Sequence, residues 1–168
     1  MLAWTLCPYV GRDGQVNPDV RTLHGPAAIN TFSQAVLCIA VGFALRDEPS
    51  LSEKFANFME NLFVNETTKM NPNVAFGQMV RGPGGSGGQG SFTGLLDLRG
   101  LVKVVNAVMI MESKQNPHWT SDLANAMTLW TGEYLQWLSS SKIAHFAATR
   151  PKYVIHANLK SLLTALSQ

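Results

Sequence analysis

Asn71, Asn73, Gln78, Arg81, Asp97 and Arg99 flank a run in which seven of the thirteen residues from Gly82 to Gly94 are glycine. Amides both donate and accept, guanidinium groups donate in a fixed fork, and an ionised carboxylate accepts only. The glycines let backbone pass close to another molecule, as a ligand-approach loop must. Polar groups on both sides of such a run can grip hydroxyls and carboxylates together. That chemistry suits a polyhydroxylated, acidic ligand, an anionic polysaccharide or oligosaccharide. Asp97 reads as a helix cap rather than as a contact.

Trp130, Tyr134 and Trp137 stand four and three residues apart, on one face of a helix. Such a stripe has two readings. It packs inward, or it forms a wall on which the apolar faces of sugar rings stack. Trp119, near a helix start, reads as structural. The histidines His24, His118, His145 and His156 are scattered. His156 and Tyr153 could serve as base and acid with Arg150 as a carboxylate clamp, although their spacing does not require it.

Other chemistries lack their signatures. The G-x-G-x-x-G string occurs at Gly82 to Gly87 and at Gly85 to Gly90, with neither a preceding strand nor a Walker lysine, so a nucleotide is not expected. Ser139-Ser140-Ser141 lacks the glycines of a nucleophile elbow. There is no Cys-x-x-Cys and no His-x-x-x-His, so neither a metal nor a cofactor is expected. Cys7 and Cys38 either pair in an oxidising compartment or leave Cys38 as a small core residue.

These side chains need a scaffold, and the sequence describes a helical one. The 168 residues are 46% hydrophobic and 14% charged, which excludes disorder and provides for one core. A net charge of +2 without a basic stripe gives no support for nucleic acid as a partner. The longest nearly apolar run, Ala35 to Leu45, is too short to cross a bilayer, so no membrane partner is expected. The first residues lack the basic start and long apolar stretch of a signal peptide. Asn65-Glu66-Thr67 is a glycosylation sequon, relevant only to a secreted protein.

Pro26 opens a first helix running to about Arg46, apolar nearly all round and therefore expected among other helices. Pro49 breaks the chain, and Ser50 with Glu53 forms a capping-box pattern for a second helix that ends near Val64. Residues 65–93 form a long Gly-rich loop, uncommon in a compact domain unless it binds something. A third helix is expected from Asp97 to about Glu112, with Leu98, Leu101, Val102, Val105, Val108 and Met109 inward. A fourth runs from about Ser121 to Leu138 behind a Thr120/Ser121/Asp122 cap cluster, and a last one covers about Lys152 to Leu166. No sustained period-two alternation is present, so the fold class is all-α, in layered helical hairpins.

Several short runs, in order, resemble the alginate lyase family of polysaccharide lyases, especially its fungal members. They are Pro8-Tyr9-Val10, Arg12 to Asp19, Met70-Asn71-Pro72-Asn73, Gly90 to Asp97, and Trp130 … Tyr134 … Trp137-Leu138 … Ser140. The resemblance implies an α/α toroid of antiparallel hairpins around a cleft for an acidic polysaccharide, cleaved by β-elimination, in a secreted or periplasmic-type setting. It treats residues 1–168 as a single, truncated domain. The family's Asn-Asn-His motif is expected near Ala148 to Tyr153, where this chain reads Ala-Thr-Arg-Pro-Lys-Tyr. The motif's absence leaves two functions in view: a lyase whose activity is in question, and a noncatalytic carbohydrate-binding or interaction protein on the same helices.

Overall fold

A computed structural model describes residues 24–79 and 89–149. Within them are five α-helices and no strand: α1 (Gly25–Arg46), α2 (Pro49–Met59), α3 (Leu101–Ser113), α4 (Ser121–Ser140) and α5 (Lys142–Ala148). A π-helical turn, Glu60–Val64, extends α2, and a 3-10 helix, Phe92–Leu98, precedes α3. The expected all-α class is the observed one.

Helix α1 starts and stops where its sequence dictates. Pro26 sits in the first turn, where its missing N–H is no loss. Asp47 closes the helix in the left-handed region, at φ 53°, and its N–H bonds the Phe43 carbonyl at 2.8 Å. Only one stripe is fully buried, Ile29, Ser33, Val36, Ala40 and Phe43, at spacings of four and three. The expectation of burial nearly all round is therefore corrected, since Cys38, Val41 and Leu45 are exposed. Cys38 is not a core residue. The helix has the length and mean hydropathy, 1.7, of a membrane-crossing segment. Its buried stripe packs along α3, with α2 also against it.

Helix α2 begins at Pro49, with Glu48 at the N-cap position and no side-chain cap. The expected Ser50 capping box does not form. Proline fixes the helix start two residues earlier than a Ser50 cap would, and Ser50 Oγ donates to Glu48 Oε1 at 2.6 Å. The third helix differs as well. Asp97 lies in the 3-10 segment, and α3 starts at Leu101, where its buried face runs through Leu101, Val104, Val105, Val108 and Met111. Met109 falls off that face and is exposed. Helix α4 has the expected cap, Thr120 Oγ1 accepting from the Leu123 N–H at 3.3 Å. Helix α5 is new to the sequence reading, and the expected helix from Lys152 lies outside the described residues.

One core joins these elements. Phe63, in the π-turn, meets Phe32 of α1 and Trp130 of α4 edge-on, at centroid distances of 5.7 and 4.8 Å. The 3-10 segment buries Leu95 and Leu98 and packs on both α1 and α5. A polar cluster ties α2 to the α3–α4 corner. Ser52 Oγ donates to Asn116 Oδ1, which also accepts the His118 N–H at 2.9 Å. His118 Nδ1 also lies within hydrogen-bond distance of Ser52 Oγ, at 2.7 Å.

Candidate functional site

Close backbone approach brings the site residues together. Gly90 N–H bonds the Ala75 carbonyl at 2.7 Å and Ser91 N–H bonds the Gly77 carbonyl at 2.9 Å, so the two arms of the long loop meet at its neck. Glycine is required there. A Cβ on Gly94 would lie 2.6 Å from the carbonyl carbon and oxygen of Gly77, and one on Gly90 2.7 Å from the Ala75 oxygen. The neck lays the turn ending at Gln78 against the 3-10 segment.

Gln78 itself is strained. Its φ is 52°, a left-handed conformation that costs a non-glycine residue about 1–2 kcal/mol. From that position Nε2 donates to Asp97 Oδ1 at 2.6 Å, across nineteen residues of sequence. Burial pushes the Asp97 carboxyl above its ordinary range, and the Gln78 bond and the Arg99 charge pull it only part of the way back. Arg99 is exposed, and among the described residues its guanidinium has no hydrogen-bond or ion-pair partner.

Around these groups lies a cavity of about 300 Å³, lined by Pro26, Asn30, Gln78, Thr93, Leu96, Asp97, Arg99 and Gly100. It is at the small end of the ~300–1,000 Å³ typical of small-molecule sites. A carboxylate that accepts, an unpaired guanidinium, two amides and a hydroxyl are groups suited to a sugar carrying an acid. A second cavity, of about 370 Å³, has Glu53, Glu60, Asp122 and His118 on its walls. Its carboxylates have the wrong sign for a polyanion.

The structure brings together only part of the expected set. Gln78 and Arg99 share the cavity, and Asp97, read from sequence as a cap, stands between them in chemistry and in place. Asn71 and Asn73 are not among its walls. Asn73 Oδ1 instead accepts from the Ala75 N–H at 3.2 Å, holding its own turn. Trp130 and Tyr134 are 4% and 0% exposed, so neither presents a face for stacking, and the inward reading of the stripe is the observed one for both. Trp137 is half-buried and stacks on Tyr134, centroids 6.1 Å apart. Arg81, Arg150, Tyr153 and His156 lie outside the described residues.

Sequence reasoning missed Asn30 and Thr93. Asn30 had a signal, as a polar residue in the first turns of an otherwise apolar helix. His145 is engaged through Nε2 with the Ser139 carbonyl at 2.7 Å, beside its own helix start. Trp119 is structural as expected, against Phe55 at 5.6 Å and donating to Glu112 Oε1 at 3.1 Å.

The described residues form an all-helical architecture, and comparison with known proteins defines the family. The sequence matches the alginate lyase family over residues 5–159, and the chain belongs to that family. Its fold is similar to that of an alginate lyase from Bacteroides ovatus, with a TM-score of 0.83 at 23% identity. That likeness covers 95% of this chain and 41% of the Bacteroides protein, so the chain spans less than half of its structural relative. No curated protein matches the sequence.

Proposed function

We propose that this chain binds an acidic, uronate-containing polysaccharide through the Gln78–Asp97–Arg99 cavity, as the binding part of a β-elimination lyase. The observation that carries the reading is an unpaired guanidinium beside a half-buried carboxylate held by a strained glutamine. Local strain of this kind is retained where the surroundings demand one conformation, often at a binding site. Arg99 takes the sugar carboxylate, and Asp97 and the Gln78 and Asn30 amides take hydroxyls.

Elimination asks for more than this cavity holds. A base must remove the proton beside the uronate carboxylate, and an acid must protonate the leaving oxygen. General acid–base help is worth about a hundred- to ten-thousandfold, and a preplaced donor that stabilises developing charge about a hundred- to a thousandfold. The family motif that supplies both is missing from positions 148–153. This chain by itself is therefore a binder with little or no lyase activity, secreted or periplasmic in setting like the class it resembles. The second reading, a catalyst, rests on Tyr153 and His156 as the proton-transfer pair with Arg150 as the clamp.

Calorimetry of the purified chain with uronate oligosaccharides tests the binding. Saturable binding that Arg99→Ala reduces at least about tenfold, the effect of one lost charge-assisted contact, is the expected result. Binding indifferent to Arg99→Ala overturns it. Ultraviolet absorbance of the unsaturated product tests the chemistry, and robust turnover abolished by His156→Ala or Tyr153→Phe would establish the catalytic reading instead.

A further inference from the structure

We infer that Asp97 is the specificity-determining residue of this cavity, admitting a sugar that bears one carboxylate and free hydroxyls while rejecting the same sugar carrying sulfate. The inference rests on the proposed binding of an acidic saccharide and deepens it.

The charges and their placement point to this role. Among the described residues, Asp97 and Arg99 are the ionisable side chains on the cavity wall. Helix α1 contributes Pro26 and Asn30, and the turn and 3-10 segment contribute Gln78, Thr93 and Leu96, all uncharged. The formal charge of the wall therefore sums to zero, with its cation exposed and its carboxylate half-buried. One anionic group of a ligand is matched by Arg99. A second finds no further cation among the described residues of the wall and meets Asp97.

The hydrogen-bonding inventory makes the same selection. An ionised carboxylate can only accept. Gln78 Nε2 supplies one donor to Oδ1, and no other partner of the Asp97 side chain is found among the described residues. The complement of what remains is a hydroxyl, which donates. A sulfate ester replaces that donor with oxygens that only accept and carry charge. Two acceptor-only groups in a partly desolvated cavity repel and leave each other unsatisfied, and a repulsive element of this kind is how a site rejects a near-identical ligand.

The test compares one uronate oligosaccharide with its O-sulfated derivative at matched length, by calorimetry at fixed ionic strength. Wild type should prefer the unsulfated ligand by at least about tenfold. Asp97→Asn keeps an oxygen for Gln78 and removes the charge. Its preference should shrink to about threefold or less, through tighter binding of the sulfated ligand. If Asp97→Asn keeps the wild-type ratio while Arg99→Ala weakens both ligands, the binding reading stands and this inference is overturned. If wild type binds neither ligand, both fall together.

A measurement on wild type alone covers the case of a variant that does not fold. Sulfate stays ionised at low pH, whereas Asp97 takes up a proton and becomes a donor. The preference for the unsulfated ligand should therefore decline as pH is lowered towards the carboxylate range. A ratio constant across that range overturns the inference without any substitution.

Discussion

Trp130 Nε1 donates to the carbonyl oxygen of Met70 at 2.7 Å, joining the middle of α4 to the start of the Asn71-Pro72-Asn73 turn sixty residues earlier. The Met70 N–H is held as well, by the Leu62 carbonyl at 2.7 Å. Both backbone groups of Met70 are thus fixed, one by the π-turn and one by an indole. The aromatic stripe serves the candidate site by anchoring the loop that approaches it.

Trp130→Phe keeps most of the buried ring and removes the donor. Leaving the Met70 carbonyl without its partner should cost about 1–3 kcal/mol, read as a lower midpoint in urea denaturation. Uronate binding should weaken as well, because the turn leading to Gln78 loses its anchor. An unchanged midpoint would show that the indole contributes only by its volume.

Two glycines should respond to alanine with opposite signs. Gly94→Ala drives a methyl to 2.6 Å from the Gly77 carbonyl, a clash with backbone that cannot swing aside, and should destabilise by about 1–3 kcal/mol or more. Gly132 is inside α4, and a methyl added there would meet no atom within 4 Å. Gly132→Ala should stabilise by about 0.5–1 kcal/mol. Thermal melts of the two variants side by side check both signs.

Tyr134→Phe should be neutral or stabilising by up to about 1–2 kcal/mol, because its hydroxyl is buried with no hydrogen-bond partner among the described residues. Burial likewise pushes the phenol's ionisation well above the usual range, so the group stays neutral. A loss of stability in Tyr134→Phe, followed by denaturation at neutral pH, would reveal a partner for the hydroxyl.

The raised Asp97 ionisation gives stability a pH dependence of known sign. The folded chain holds this proton more tightly than the unfolded chain. The contribution is therefore full below the ordinary carboxylate value of about 4 and is lost as pH rises through the raised folded value. Asp97→Asn cannot ionise. Its stability relative to wild type should rise across that same interval and stay level above it, as denaturant titrations at a series of pH values would record.

The signals legible in the sequence are those of single elements. Pro26 marks a helix start, Pro49 marks the break after α1, Thr120 caps α4, and the absence of alternation gives the all-α class. What is not legible depends on tertiary partners. Whether Trp130 and Tyr134 face a core or a ligand is decided by Phe63 and the π-turn, which share no local pattern with them. Asp97 looks like a cap because it precedes an apolar run. Its real partner, Gln78, reaches it only because Gly77 and Gly94 let two backbones touch. Helix α5 escapes the sequence reading because seven residues, Lys142 to Ala148, are too few for a clear period.

The Ser52–Asn116–His118 cluster has a consequence for the order of assembly. Its members come from positions 64 and 66 residues apart, and the Trp130–Met70 bond spans 60. The α1–α2 pair, separated by two residues, closes almost no loop. Ring-closure entropy grows with the logarithm of the enclosed length, so distant contacts form at greater entropic expense than neighbouring ones. The first hairpin can dock early, while the polar clasp on α2 can close only once α3 has been laid down and the chain has turned into α4. Ser52 and Asn116 thus discriminate against wrong routings: a chain that misroutes α3 leaves two buried polar groups without partners, and that arrangement is disfavoured.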